Sequence, residues 1–298
     1  MERRPLTSED AKAVFDLIAA AEESDDGEVH VELADIIADW QTPGFDLASS
    51  TLGVFDAQGL IAFAEHTGGD TGYLDVHPRG RLSDGPDPLL AELAQWVAIL
   101  AHGRGAPEIG LVTPQGGYND RQLGALGWEI RRTSWVLRLP PGASIAPRPL
   151  PPGYAIGQAR HEEIPALQRV IEDAFLEWAV RDRRTLEQFE AHTTRRPGFE
   201  PWLLRVVRDP GGEVVAGAVC VRNGDEAYVD QLATRRDSRG LGLAQALLVD
   251  AFAEGRARGC TRFALSTDSR TGALDLYLGV GMEVVSTWVN RAVRAPER

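Results

Sequence analysis

The sequence predicts a mixed-sheet α/β chain in which one domain plan occurs twice. The first observation is a repeat at nearly constant offset. Shifting the chain by 153 to 155 positions lays Glu9-Asp10 on Glu162-Glu163, Asp56 on Asp209, Ile61-Ala62 on Val215-Ala216, Tyr73-Leu74-Asp75 on Tyr228-Val229-Asp230, and Gly127-Trp128-Glu129-Ile130 on Gly281-Met282-Glu283-Val284. Matches spread over so many elements mark a duplicated domain. The second observation is the stretch Leu139–Gly153, where six prolines in fifteen residues favour an extended, semi-rigid connection. The expected division is residues 1–139, a linker at 140–153, and residues 154–298. The third is that both halves read as one order of strands and helices.

The second half shows that order best. Glu162 to Trp178 and Thr185 to Thr194 have helical periodicity, and Trp202–Val207 and Glu213–Val221 flank Asp209-Pro210-Gly211-Gly212 as a hairpin. Ala227 to Thr234 reads as a further strand, followed by Arg239-Gly240-Leu241-Gly242-Leu243-Ala244. A helix from about Leu243 to Arg258 then places Leu243, Leu247 and Ala251 on one face. The strand Arg262–Thr267, a short helix bearing Tyr277 and the strand Met282–Val293 complete the half.

A strand that enters a helix through a glycine-rich loop aims unpaired amides and the positive end of a helix dipole at one spot, which suits a phosphate. A Walker loop needs Gly-x-x-x-x-Gly-Lys-Ser/Thr, and no lysine stands here. A dinucleotide fingerprint needs a small residue where Gln245 stands and an acid about 20 residues on, and both are missing. Arg-x-x-Gly-x-Ala after a strand resembles motif A of the GNAT acetyltransferase superfamily. Downstream, Ala273-Leu274-Asp275-Leu276-Tyr277 followed by Gly281-Met282 resembles that family's second signature. The resemblance implies two tandem GNAT-like domains, each a mixed, mostly antiparallel twisted sheet flanked by helices. It also implies acetyl-CoA as cofactor and acyl transfer to a primary amine on a small molecule or peptide.

By the same resemblance, Leu232, Ala233 and Thr234 would bond the pantetheine arm through their backbone. The amides of Arg239, Gly240, Leu241, Gly242, Leu243 and Ala244 would hold the pyrophosphate, and Tyr277 would return a proton to the thiolate. The asparagine usual before the Tyr277 helix is replaced by Asp268-Ser269-Arg270, with Ser269 a candidate cofactor contact. A neutral amine requires a proton acceptor, and Asp230 is the first candidate, with Asp268 the second or else a ligand of the substrate ammonium. Glu177 and Trp178 are expected in one wall of the acceptor pocket. A non-catalytic protein that binds acyl-CoA for regulation is the alternative.

The first half keeps the scaffold but not these residues. Leu82 replaces the second glycine, Pro86 and Pro88 interrupt the amide array, and Leu123 stands for Tyr277. Charge agrees, because residues 1–139 carry 23 acidic and 10 basic side chains against 21 of each in 140–298. An anionic cofactor is disfavoured in the first half, and nucleic acid throughout. Cys220 and Cys260 have no metal-ligand spacing and read as buried thiols, and no 18-residue apolar run occurs, so neither a metal nor a membrane is expected and the cytoplasm is the expected compartment.

Overall fold

The computed structural model describes residues 1–179 and 181–295. They form two compact units, Met1–Ser134 with Ser286–Arg298, and Trp135–Val285.

In the first unit the chain runs through β1 (Glu2–Arg4), α1 (Ala11–Asp25), α2 (Leu33–Trp40), α3 (Leu47–Ser50), β2 (Thr51–Asp56), β3 (Gly59–Gly68), β4 (Thr71–Val76), α4 (Pro88–Gly103), β5 (Glu108–Pro114) and α5 (Tyr118–Ala125). The strand β6 (Glu129–Arg138) begins in this unit and ends in the second. The strands β1, β2, β3 and β4 pair antiparallel in sequence, and β5 then joins β4 in parallel. Buried Leu90, Leu93, Ala94 and Val97 of α4 recur at helical spacing and meet Val54, Ala62, Leu74 and Ile109 of the strands, which is the amphipathic packing that period 3.6 against period 2 produces.

The second unit contains β7 (Ala155–Gln158), α6 (Ile164–Phe175), α7 (Leu186–Ala191), β8 (Leu204–Arg208), β9 (Val214–Asn223), β10 (Glu226–Thr234), α8 (Leu243–Ala257), β11 (Arg262–Asp268) and α9 (Leu274–Gly279). Its strands β7, β8, β9 and β10 are antiparallel neighbours, while β11 pairs with β10 in parallel. The predicted order is therefore present, with one local change: Trp202 and Leu203 lie in a 3-10 turn and not in the strand that follows. Leu243, Leu247, Leu248, Ala251 and Phe252 of α8 pack on Val215, Ala227, Val229 and Leu265 of the sheet.

The compact units depart from a split at the proline-rich segment in two ways. The last strand, β12 (Glu283–Arg294), gives its residues from Ser286 onward to the first unit, where Trp288–Arg294 pair antiparallel with Glu108–Pro114 of β5. Residues 140–153 are packed within the second unit and do not span a gap. Leu139 and Ile145 are buried in its core, Leu150 packs against it, and the carbonyls of Ala143 and Ala146 accept from Arg256 and Gln245 of α8. Proline excludes helix and inner strand but not docking of apolar neighbours such as Ile145.

Candidate active site

Two backbone features of the second unit open a slot. The parallel pairing of β10 with β11 runs from Glu226 opposite Arg262 to Val229 opposite Leu265 and then stops, although both strands continue. Beyond that point β10 stays paired with β9 as far as Thr234, so the edge of Gln231–Thr234 turned from β9 has no strand partner among the described residues. At the parting, register shifts between Val229 and Gln231, and Asp230 is the extra residue of a β-bulge. The bulge exposes the Asp230 carboxylate, which accepts from Gln231 Nε2 at 3.0 Å.

The second feature is the start of α8. A 3-10 turn, Arg236–Ser238, follows β10, and Gly240 and Gly242 both take left-handed φ of 78°. No side chain caps α8, and the first amide bonded to the loop is that of Ala246, donating to the Gly242 carbonyl at 3.1 Å. The amides from Arg239 to Ala244 find no acceptor among the described residues. Six such donors at the positive end of a fifteen-residue helix make a place that would attract an anion. The space beside Gly240 is open, whereas a Cβ on Gly242 would lie 2.9 Å from Arg148 Cζ.

Tyr277 stands in α9 with its ring in the main core cluster, against which Leu232 also packs. Burial pushes its phenol up to about 12, so the hydroxyl keeps its proton at any physiological pH, and no hydrogen-bond partner holds it among the described residues. Ser269 is exposed in the turn before α9.

The proposed substrate residues gather into two pairs. Glu177 forms a two-bond ion pair with Arg239 of the loop, at 2.9 and 2.6 Å, which pulls the Glu177 carboxyl below its ordinary value. The guanidinium of Arg270 lies 4.5 Å from the Trp178 ring centre and also holds Asp268, which further accepts the Arg270 amide at 2.9 Å. Asp268 is thus engaged by donors next to it, while Asp230 is exposed at the residue that follows the end of the β10–β11 pairing.

One arrangement was missed by sequence reasoning. Glu172 of α6 is fully buried; burial alone would raise its carboxyl, but hydrogen bonds from Arg181, the Arg184 amide and the Arg184 side chain pull it down to about 2. Arg184 Nη2 then donates to Gln231 Oε1 at 3.2 Å, and Gln231 Nε2 donates to Asp230. This chain of oriented donors holds the bulge carboxylate in place. An acid such as Glu172 in a helical apolar stripe was its one visible sign.

A mixed sheet split between two parallel strands, with an uncapped helix behind the split, defines an acyl-CoA type of transferase fold. Residues 164–282 match the sequence model of the Acetyltransferase (GNAT) family, so the second unit carries a GNAT domain, from a family of acyl-CoA-dependent N-acetyltransferases, and the chain has the architecture of tandem GNAT proteins. A GCN5-related N-acetyltransferase from Sphaerobacter thermophilus is similar over 100% of this chain and 96% of its own, with 25% identity and a TM-score of 0.75. A tandem GNAT protein from the clavulanic acid biosynthesis pathway covers 100% and 99% with 16% identity and a TM-score of 0.70. The Saccharomyces cerevisiae N-myristoyltransferase with bound myristoyl-CoA covers 98% and 77% at 13% identity and a TM-score of 0.64. The last two show the fold alone. No curated protein sequence matches the chain. No helix among the described residues is long and apolar enough to cross a membrane.

Proposed function

We propose that the chain is an acetyl-CoA-dependent N-acetyltransferase whose second unit passes the acetyl group to a primary amine on a small molecule or peptide. The observation that carries this reading is the row of unpaired amides from Arg239 to Ala244 at the uncapped start of α8. They suit the diphosphate, and the open edge of Leu232–Thr234 suits the amides of pantetheine, which leads the thioester to the parting of β10 and β11.

There the neutral amine attacks the thioester carbon and the C–S bond breaks; of the two protons an ammonium loses on the way to an amide, one ends on the sulfur, and the other, removed to free the nitrogen lone pair, passes to a base and on to solvent. Asp230 accepts it, directly or through water, and Tyr277 donates to the leaving thiolate. A phenol near 12 is a weaker acid than an ordinary thiol at about 8.5. Its hydrogen bond therefore stabilises the developing charge as the bond breaks, and the proton given up by the amine restores neutrality.

A screen of primary amines with acetyl-CoA, following free thiol, tests the reading. Thiol release should require an amine and fall by about 10²- to 10⁴-fold in Tyr277→Phe, with cofactor affinity little changed. Cofactor binding without turnover on any amine would point to the regulatory alternative, and a preference for longer acyl-CoA would remove the acetyl assignment.

A further inference from the structure

We propose that Arg148, from the proline-rich segment, is the cationic side chain of the diphosphate site. The inference rests on the cofactor reading above. Its basis is a juxtaposition that the motifs did not show: the Arg148 guanidinium covers the α-carbon of Gly242, where even a methyl group would strike its Nε, Cδ and Cζ. It thus lies beside the unpaired amides of the loop and adds a planar set of N–H donors to them. A guanidinium matches phosphate oxygens with two parallel hydrogen bonds, which backbone amides alone do not.

The charges around the loop single out this arginine. Arg239 is neutralised by Glu177, and Arg235 by Asp237 at 2.7 Å. Arg236 lies in the field of the same Glu177. Arg148 has no hydrogen bond or ion pair with any described residue. Its backbone is prepared for the role. Pro147 and Pro149 flank it and hold it extended, buried Ile145 anchors the chain on one side, and Leu150 packs on the core at the other. An exposed cation held at one place with no partner gains little for the fold, but it spares a ligand the entropy of ordering it. Arg148 also lies outside residues 164–282, which match the family's sequence model, so the family pattern does not supply it.

Calorimetric titration of the full chain with CoA and with 3′-dephospho-CoA tests the proposal in wild type, Arg148→Ala and Arg148→Lys. The alanine variant should bind both ligands roughly 10- to 100-fold more weakly, the value of a charge-assisted hydrogen bond, and lysine should recover part of the loss. Equal affinity of wild type and Arg148→Ala for CoA would overturn the assignment. So would a loss seen with CoA but not with its dephospho form, since the 3′-phosphate would then be the partner. A lowered melting temperature of the unliganded alanine variant would mark Arg148 as a structural strut and also overturn it. Failure of the wild type to bind CoA at all would instead remove the cofactor reading on which the proposal stands.

Discussion

The two units bring a helix out of a strand through a 3-10 turn and then treat its N-terminus in opposite ways. At the start of α8 in the second unit no described residue caps the helix, and the amides before it find no acceptor among the described residues. At the start of α4 in the first unit Asp87 caps the helix, accepting from the amides of Leu89 and Leu90. The Tyr118 hydroxyl donates to the same carboxylate at 2.6 Å and accepts the Leu82 amide, while Gln122 takes the Asp87 amide. The first unit thus supplies its own anion where the second leaves room for one. A carboxylate at that position uses the helix dipole and repels a phosphate. Losing a glycine and gaining prolines, as the sequence shows, is only part of the difference.

The strand parting repeats the lesson. In the first unit β4 and β5 pair at Thr71–Gly110 and Gly72–Leu111 and then separate, as β10 and β11 do. Asn119 of α5 fills that opening, donating to the Leu74 carbonyl at 3.0 Å and to Asp75 at 2.6 Å. Asp75 is in regular register opposite Phe63, with its carboxyl pushed up to about 7 by burial, whereas Asp230 is the bulged residue. The two aligned carboxylates therefore do not have the same place, and a scaffold role for Asp75 says nothing against a chemical one for Asp230.

The change with the largest expected effect is at the loop. Gly242→Glu imposes a left-handed backbone on a residue with a Cβ, drives it into Arg148, and sets a carboxylate beside the diphosphate. Strain of about 1–3 kcal/mol and several more from like charge should weaken CoA binding by roughly 10³-fold or more. Leu82→Glu, at an exposed position of the first unit, should leave it unchanged. Calorimetry should show one site per chain in wild type; two sites would mean that the capped helix α4 also accepts the cofactor.

A second contrast lies in one buried glutamate from each unit. Glu65 of β3 meets Trp40 Nε1 at 2.8 Å but no cation among the described residues, and burial pushes it up to about 7. Glu172, between Arg181 and Arg184, is pulled down to about 2. The signs of the two contributions are opposite. Glu65 binds a proton more tightly in the folded protein than in the unfolded one, so its share of stability is present below pH ~4.5 and is lost as pH rises through 7; Glu172 contributes fully above pH ~4.5, and this is lost as pH falls toward 2. Each amounts to a quantity on the order of 3 kcal/mol. Glu65→Gln keeps an acceptor for Trp40 and should match wild type near pH 4 but unfold at higher denaturant near pH 8.5. Glu172→Gln should be destabilised at neutral pH and approach wild type in acid. Differences that do not vary with pH would show that neither carboxyl is shifted.

Most of the fold was legible because it rests on local signals. Period-2 and period-3.6 apolar patterns placed the strands and helices of the second half, and a hairpin sequence at Asp209–Gly212 closed as expected with Gly212 at φ of 86°. The loop was legible because Gly240 and Gly242 are needed for left-handed backbone, a demand that leaves a trace in the residue type. Long-range choices left no such trace. The residues of β12 that pair with β5 look like any strand end, and nothing in Pro147-Arg148-Pro149 announces that its arginine lies over a glycine 94 positions later. Alternation along Tyr228–Thr234 gives no sign of an added residue; the family resemblance implies a bulge in this strand, and register against β9 puts it at Asp230. Glu177, expected in one wall of the acceptor pocket, pairs with Arg239, a partner 62 positions away that could not be read from either residue.

The smallest expected effect concerns the base. Asp230→Asn keeps an oxygen for the Gln231 amide but cannot take a proton. The rate at neutral pH should fall by about 10²-fold, the lower end for losing a general base, and recover in part at high pH, where more of the amine is already neutral. Asp268→Asn should not show this recovery, because the Asp268 carboxylate is committed to Arg270 and to the turn before α9. Its loss would free Arg270 from one side and alter its stacking on Trp178, an effect expected on acceptor affinity with no dependence on pH in the rate of transfer. If the pH signature appears in Asp268→Asn while Asp230→Asn stays active, the two roles must be exchanged. If it appears in neither, a water chain takes the proton, and the chain of donors from Glu172 through Arg184 and Gln231 serves to hold the bulge open for the cofactor.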